Sequence, residues 1–102
     1  MKIKVAATQM RCDWEIENNL KKSINLIEKA AEQGANIILL QELFQTPYFC
    51  IQYDEEIFKL AQTFENNSLI NKMSEVAKKH KVVLPISFFE KDNNAYFNSI
   101  AV

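Results

Sequence analysis

An amphipathic stripe that ends at the chain's single glycine and leads directly into an aliphatic segment is the feature that most constrains this fold. The apolar residues of the stripe recur every three or four positions, at Ile16, Leu20, Ile24, Ile27 and Ala31. This spacing predicts an α-helix, and Gly34 occupies the C′ position that would end it. The continuous aliphatic run from Ala35 to Leu40 then indicates a strand covered on both faces, as in parallel sheets.

A second strand is predicted before the helix, because apolar and polar residues alternate over residues 2–9. Asp13 is the predicted N-cap of the helix. Strand, helix and strand would form a β–α–β unit with a right-handed crossover. Two shorter helical stripes follow, one over residues 57–64 and one over residues 69–77.

The last part of the chain predicts a hairpin. Val82 to Phe89 has the composition of a strand, although Pro85 argues against full ladder bonding. Asp92-Asn93-Asn94 predicts a turn, and Tyr96 to Val102 is the expected partner strand. Since the chain stops inside this apparent strand, we expect the sequence to be cut from a longer one.

Composition and charge exclude several functional classes. A chain of 102 residues with 48% hydrophobic and 25% charged residues indicates one globular domain or less. A net charge of −1 provides no long-range attraction for nucleic acid or an anionic membrane. The start lacks a signal-peptide core, so we expect a cytoplasmic protein in which Cys12 and Cys50 are free thiols.

The residue that carries a candidate chemistry is Glu42, which follows the aliphatic strand and precedes an aromatic segment. Ligands of open α/β sheets bind beyond the carboxyl ends of the strands. We expect a carboxylate there to be partly desolvated, which would raise its proton affinity and suit a general base. A surface glutamate at a strand end is the alternative.

Four segments resemble the nitrilase (carbon–nitrogen hydrolase) superfamily. They are Val5–Met10, Asp13 with Asn19, Gly34–Phe44, and Pro47–Cys50. The last is similar to the N-carbamoylputrescine amidase branch in particular. Many superfamily members carry proline where this chain has Gln41, and the glutamine agrees with that branch.

The resemblance implies an α/β fold. Residues 1–102 would be the N-terminal segment of a single carbon–nitrogen hydrolase domain, and thus an incomplete part of an α-β-β-α sandwich with a mixed sheet and outer helices. It also implies a homo-oligomer in the full-length form. On this basis we expect the segment alone to expose an apolar sheet face that is prone to association.

The resemblance further implies a Glu-Lys-Cys catalytic set, of which Glu42 alone maps onto this chain. The lysine and the cysteine nucleophile would lie downstream, so residues 1–102 alone are expected to be inactive. N-carbamoylputrescine, a small carbamoyl amine, would yield putrescine, carbon dioxide and ammonia in polyamine biosynthesis. Tyr48 would help to shape the substrate pocket, or would simply pack as an aromatic residue.

No cofactor and no metal site are expected. His80, the single histidine, is interpreted as a solvated residue at a helix end beside lysines. Without other histidines or a cysteine-rich spacing, a metal would lack ligands. Cys12 and Cys50 are more typical of inert thiols than of nucleophiles, although Cys50 could line a pocket.

Three other interpretations remain open. The first is a different ureido hydrolase of the same superfamily, such as a β-ureidopropionase. The second is an inactive truncated remnant. The third is a small non-catalytic α/β binding module of flavodoxin type, against which the lack of a glycine in the segment Met10–Asp13 counts.

Overall fold

The computed structural model describes residues 1–49 and 55–102, which form helices packed on two small sheets. In chain order the elements are β1 (Val5–Ala7), α1 (Ile16–Glu32), β2 (Ile37–Leu39), a 3₁₀ helix (Glu55–Leu60), α2 (Ser68–His80), β3 (Ile86–Asp92) and β4 (Ala95–Ala101). Strands β1 and β2 form one sheet and β3 and β4 the other. The α/β prediction is confirmed.

The predicted β–α–β unit is present. β1 pairs in parallel with β2, with Val5 opposite Ile37 and Ala7 opposite Leu39. Helix α1 connects them and ends where predicted, because Gly34 adopts a φ of +90° and donates its N–H to Ala31 O at 2.9 Å. This is the left-handed C′ geometry that glycine adopts without a steric penalty.

The start of α1 differs from the prediction. Its N-cap is Glu15, not Asp13, and the Glu15 side chain forms no capping bond. The Asp13 carboxylate instead accepts the backbone N–H of Glu15 at 2.8 Å, which closes a turn just before the helix. Asp13 is a turn-forming side chain here, since an Asx turn and an N-cap use the same short acceptor.

The second and third helical stripes have different outcomes. The first is a 3₁₀ helix that stops at Leu60, so its predicted extension to Phe64 is wrong. The second is α2, where the Asn67 side chain caps the N–H groups of Leu69 and Ile70 at 3.0 and 3.2 Å. Helix α2 ends at a left-handed Lys81, after the expected basic last turn.

His80 is packed between the helices and is not solvated as predicted. Its side chain is one-fifth exposed, and Nε2 lies 3.8 Å from Glu28 Oε1 on α1. Nε2 is buried and has no hydrogen-bond partner among the described residues. The sequence placed His80 correctly at a helix end, but it could not show that α1 lies against that end.

The predicted C-terminal hairpin is present, but its first strand spans Ile86–Asp92 and not Val82–Phe89, since Pro85 has no N–H for the ladder, and its turn is Asn93-Asn94 without Asp92. β3 begins directly after Pro85, and its antiparallel pairing with β4 runs from Ile86 opposite Ala101 to Asp92 opposite Ala95. Asn93 in the turn has a φ of +54°. A parallel bridge between Ile37 and Val83 connects the segment before β3 to β2. The hairpin is thereby placed beside the end of β2.

The two faces of this assembly differ in exposure. The helices cover one face, where the buried core includes Ile27, Ile38, Phe44, Leu69, Met73, Leu84, Ile86 and Phe88. The opposite face, which we call the open sheet face, presents Val5, Leu39, Val83 and Ile100, each 46–68% exposed.

No helix within residues 1–49 and 55–102 is long and apolar enough to cross a membrane.

Candidate active site

The candidate site is built on the turn that follows β2, at residues 42–45. Leu43 and Phe44 are buried and anchor this turn in the core. Leu43 has a φ of +49°, a left-handed conformation that costs a non-glycine residue about 1–2 kcal/mol. Such a conformation persists where the surroundings hold it, and it is a feature of functional sites.

Three side chains from distant parts of the chain hold the turn. Ser87 Oγ accepts the N–H of Leu43 at 2.9 Å. Asn19, which is fully buried on α1, donates from Nδ2 to Gln45 O at 2.7 Å. The Cys12 thiol donates to Phe44 O at 3.1 Å. Together these contacts satisfy backbone groups that the irregular segment would otherwise leave unpaired.

Glu42 itself projects from this turn into a cleft of about 310 Å³, lined by Leu39, Leu40, Glu42, Pro85, Ser87, Asn98 and Ile100. Its carboxylate accepts a hydrogen bond from Asn98 Nδ2 on β4. The other lining groups are mainly apolar. The cleft thus combines one carboxylate and one amide with an apolar wall.

The expectation of a partly desolvated Glu42 is wrong for this structure, because the side chain is exposed. The turn lies at the border of the open sheet face, and the hairpin contacts the carboxylate from one side only. The strand before it is likewise covered on one face only, because Leu39 of β2 is exposed, so the sequence located Glu42 at the end of β2 but did not determine its burial.

Aromatic side chains pack beside the turn. Phe49 is buried with its ring 5.0 Å from that of Phe89, and Phe58 lies 4.7 Å from Tyr96. Tyr48 is 46% exposed and does not belong to the lining of the Glu42 cleft. A role of Tyr48 in substrate binding stays a prediction. Cys50, which the sequence offered as a pocket residue, lies outside the described residues.

Cys12 has the properties of an inert thiol. Burial raises its pKa above the ordinary value, and the nearby charge of Lys22 only partly opposes this. Its sulfur also accepts a hydrogen bond from Gln41 Nε2 at 3.3 Å. Because the thiolate is the nucleophile, a raised pKa argues against catalysis by Cys12.

Within residues 1–49 and 55–102, no group of three or more His, Cys, Asp or Glu side chains could hold a metal ion.

Sequence reasoning missed Ser87 and Asn98. Each interrupts a stretch of apolar or aromatic residues in a predicted hairpin strand, and this was the one available signal. Ser87 pairs with Ile100 and Asn98 with Phe89, so both polar side chains lie on the same face of the hairpin. The hairpin register places them next to Glu42.

The parallel β–α–β unit with its outer helix and the adjoining hairpin define an α/β fold. Residues 4–102 match the family model of the carbon–nitrogen hydrolases, so the chain belongs to that family. The solved structure of a carbon–nitrogen hydrolase from Helicobacter pylori superimposes with a TM-score of 0.80 at 28% identity, over 96% of this chain and 34% of that one.

Similarity to individual enzymes is closer still. The chain is 43% identical over 98 residues to the N-carbamoylputrescine amidase of Arabidopsis thaliana, which covers 96% of this chain and 33% of that protein. It is 41% identical over 100 residues to the citrullinase of Francisella tularensis, covering 98% and 35%. The chain thus spans about a third of the length of the curated relatives it matches.

Proposed function

We propose that the protein containing this chain is a carbon–nitrogen hydrolase that acts on N-carbamoylputrescine, with Glu42 as its general base. The observation that carries the proposal is a carboxylate held by Asn98 at the end of β2, in a chain 43% identical to an N-carbamoylputrescine amidase. The other two members of the Glu-Lys-Cys set would come from outside residues 1–102.

The chemistry of the proposed reaction requires a base beside a thiol. As the cysteine sulfur attacks the ureido carbonyl, Glu42 accepts the thiol proton, while the lysine and a backbone N–H stabilise the developing oxyanion. Glu42 then returns the proton to the departing ammonia. Glu42 next takes a proton from water, the hydroxide adds to the carbamoyl carbon, and the cysteine thiolate leaves and recovers the proton from Glu42. The released carbamate takes up a proton and loses carbon dioxide to give putrescine.

The cleft supports a small substrate with an apolar middle. Leu39, Pro85 and Ile100 would contact methylene groups, while Glu42 and Asn98 would stand at the reacting end. We further propose a cytoplasmic location, a role in polyamine biosynthesis and a homo-oligomer. These proposals rest on the membership of the carbon–nitrogen hydrolase family and on the similarity to N-carbamoylputrescine amidases.

Citrulline is the second candidate substrate, because the similarity to a citrullinase is nearly as high. Citrulline and N-carbamoylputrescine both carry a terminal ureido group, and citrulline adds an α-carboxylate. A β-ureidopropionase-like activity would act on the same group. These substrates share the chemistry of Glu42 and differ in the groups that anchor the far end.

The test is ammonia release by the protein produced from the complete reading frame that contains this chain. N-carbamoylputrescine, citrulline and N-carbamoyl-β-alanine should be compared by kcat/KM, and putrescine quantified directly. Glu42→Gln should reduce kcat at least about 1,000-fold with substrate binding largely retained. Glu75→Gln, an exposed carboxylate on α2, is the matched control and should leave kcat unchanged.

Each outcome assigns a different conclusion. Preference for N-carbamoylputrescine supports the proposal, and preference for citrulline transfers it to the second candidate. Turnover that survives Glu42→Gln would refute the role of the base. Residues 1–102 alone should release no ammonia, because the proposed nucleophile is absent from them.

A further inference from the structure

The β3–β4 hairpin brings a chain of three hydrogen bonds to the candidate base. The N–H of Leu43 donates to Ser87 Oγ at 2.9 Å, the Ser87 hydroxyl donates to Asn98 Oδ1 at 3.5 Å, and Asn98 Nδ2 donates to Glu42 Oε1. The chain therefore begins at the backbone that follows Glu42 and returns to the Glu42 side chain.

The direction of this chain is fixed by its two ends. A backbone N–H can only donate and an ionised carboxylate can only accept, so the Ser87 hydroxyl and the Asn98 amide must each accept on one side and donate on the other. Asn98 consequently presents its NH₂ group, and not its carbonyl, to Glu42. Ser87 is buried between Leu43 and Asn98, so its hydroxyl hydrogen bonds are shielded from competing water.

The exposed position of Glu42 explains why its carboxylate would need partners that fix its orientation. Its side chain is exposed on a turn, and a glutamate in that setting samples several rotamers. A general base must stay within hydrogen-bond reach of the proton it removes, and small displacements reduce rate strongly. A neutral amide can hold Oε1 without neutralising the carboxylate, and Oε2 then remains to accept the proton.

We propose that Asn98 and Ser87 are positioning residues for Glu42: Asn98 orients the carboxylate, and Ser87 fixes both the Asn98 amide and the left-handed Leu43 that directs Glu42 into the cleft. This inference rests on the proposed function of Glu42 as the base. The β3–β4 hairpin would then position the catalytic base as well as contribute to the hydrophobic core.

The experiment compares three variants of the protein made from the complete reading frame, with kcat, KM and thermal midpoint measured for each. Asn98→Asp exchanges the NH₂ group for oxygen, so it removes the donor at nearly constant side-chain shape and sets a second carboxylate against Glu42, which displaces the base by like-charge repulsion. Ser87→Ala removes the hydroxyl. Ser99→Ala is the matched control, because Ser99 on the same strand donates to Glu90 at 2.7 Å, away from the cleft.

Asn98→Asp and Ser87→Ala should lower kcat by about 10- to 100-fold, with KM changed less than about threefold. Ser99→Ala should stay within about twofold of the parent protein. Asn98 lies exposed on β4, so Asn98→Asp should fold normally. An unchanged kcat in Asn98→Asp would overturn the proposal, and so would a change confined to KM, which would make Asn98 a substrate ligand.

The double variant Glu42→Gln/Asn98→Asp separates this inference from the function on which it rests. If Asn98 acts through Glu42, the second substitution should add less than about threefold to the loss caused by the first. Full additivity would indicate a role independent of Glu42 and refute the inference. Turnover retained by Glu42→Gln alone would refute the proposed function, whatever Asn98→Asp does.

Discussion

Gln41 pairs its side-chain amide with both backbone polar groups of Met10. The Met10 N–H donates to Gln41 Oε1 at 2.8 Å, and Gln41 Nε2 donates to Met10 O at 3.0 Å. The backbone ladder between β1 and β2 ends with the N–H of Thr8, which donates to Leu39 O. The Gln41 side chain extends this pairing to Met10. The residue directly before the candidate base is therefore tied to the chain leaving β1.

Replacing Gln41 by alanine removes both of these hydrogen bonds. We expect Gln41→Ala to lower the free energy of unfolding by about 1–3 kcal/mol, since each net hydrogen bond contributes about 0.5–1.5 kcal/mol. Urea denaturation monitored by circular dichroism provides the measurement. Gln9→Ala, an exposed glutamine beside Met10, should change stability by less than about 0.5 kcal/mol. Equal effects of the two variants would contradict the role of the pair.

Asn19 should be more sensitive than Gln41, because it is fully buried. It joins the segment before α1 to the turn after β2, through bonds with the Asp13 backbone and Gln45 O. Asn19→Leu would leave these partly buried backbone groups unpaired and should cost about 2–4 kcal/mol in urea denaturation. Asn18→Ala loses one exposed bond to Glu15 and should cost less than about 1 kcal/mol. A mild effect of Asn19→Leu would show that the turn holds without it.

Cys12 should react slowly with iodoacetamide in the native protein. Burial raises the pKa of its thiol, so the thiolate fraction at pH 7.5 is smaller than for an ordinary cysteine and grows as the pH rises through the raised pKa. Mass spectrometry after trypsin separates the Cys12 peptide from that of Cys50, because Lys21, Lys22 and Lys29 lie between the two cysteines. Urea should accelerate labelling of Cys12. Native labelling as fast as in urea would contradict the burial of the thiol.

The open sheet face should cause residues 1–102 to self-associate. Leu39 and Ile100 are exposed there, and contiguous apolar surface of this kind drives association. Leu39→Lys and Ile100→Lys should therefore shift the sedimentation coefficient toward the monomer without lowering the thermal midpoint. Trp14→Lys changes an exposed apolar residue before α1 and serves as the control. A parent chain that stays monomeric at a concentration on the order of 100 µM would contradict the prediction.

Elements defined by local rules were predictable from the sequence. Gly34 ended α1 and Pro85 preceded β3 because both effects depend on the backbone of one residue. The parallel pairing of β1 with β2 followed from the aliphatic run between Ala35 and Leu40. Asp13 was harder, since the same side chain can cap a helix or close a turn.

The surroundings of Glu42 were less predictable than its position. Ser87 and Asn98 lie 44 and 56 residues away from their partners Leu43 and Glu42, and no periodicity encodes such a separation. The exposure of the Glu42 carboxylate and the partial burial of His80 likewise depend on which elements lie against them. Sequence patterns located the candidate base, and tertiary packing alone determined its partners.

The β3–β4 hairpin and the contact between Glu42 and Asn98 join residues at very different separations along the chain. This difference sets the order in which the site assembles during folding. The hairpin needs a turn of two residues, and such hairpins form within microseconds. The contact between Glu42 and Asn98 closes a loop of 56 residues. The entropy cost of closing this loop is offset only when β2 and the hairpin pack together. We therefore expect the carboxylate to gain its amide partner among the last folding events, which makes this contact a marker of the completed native state.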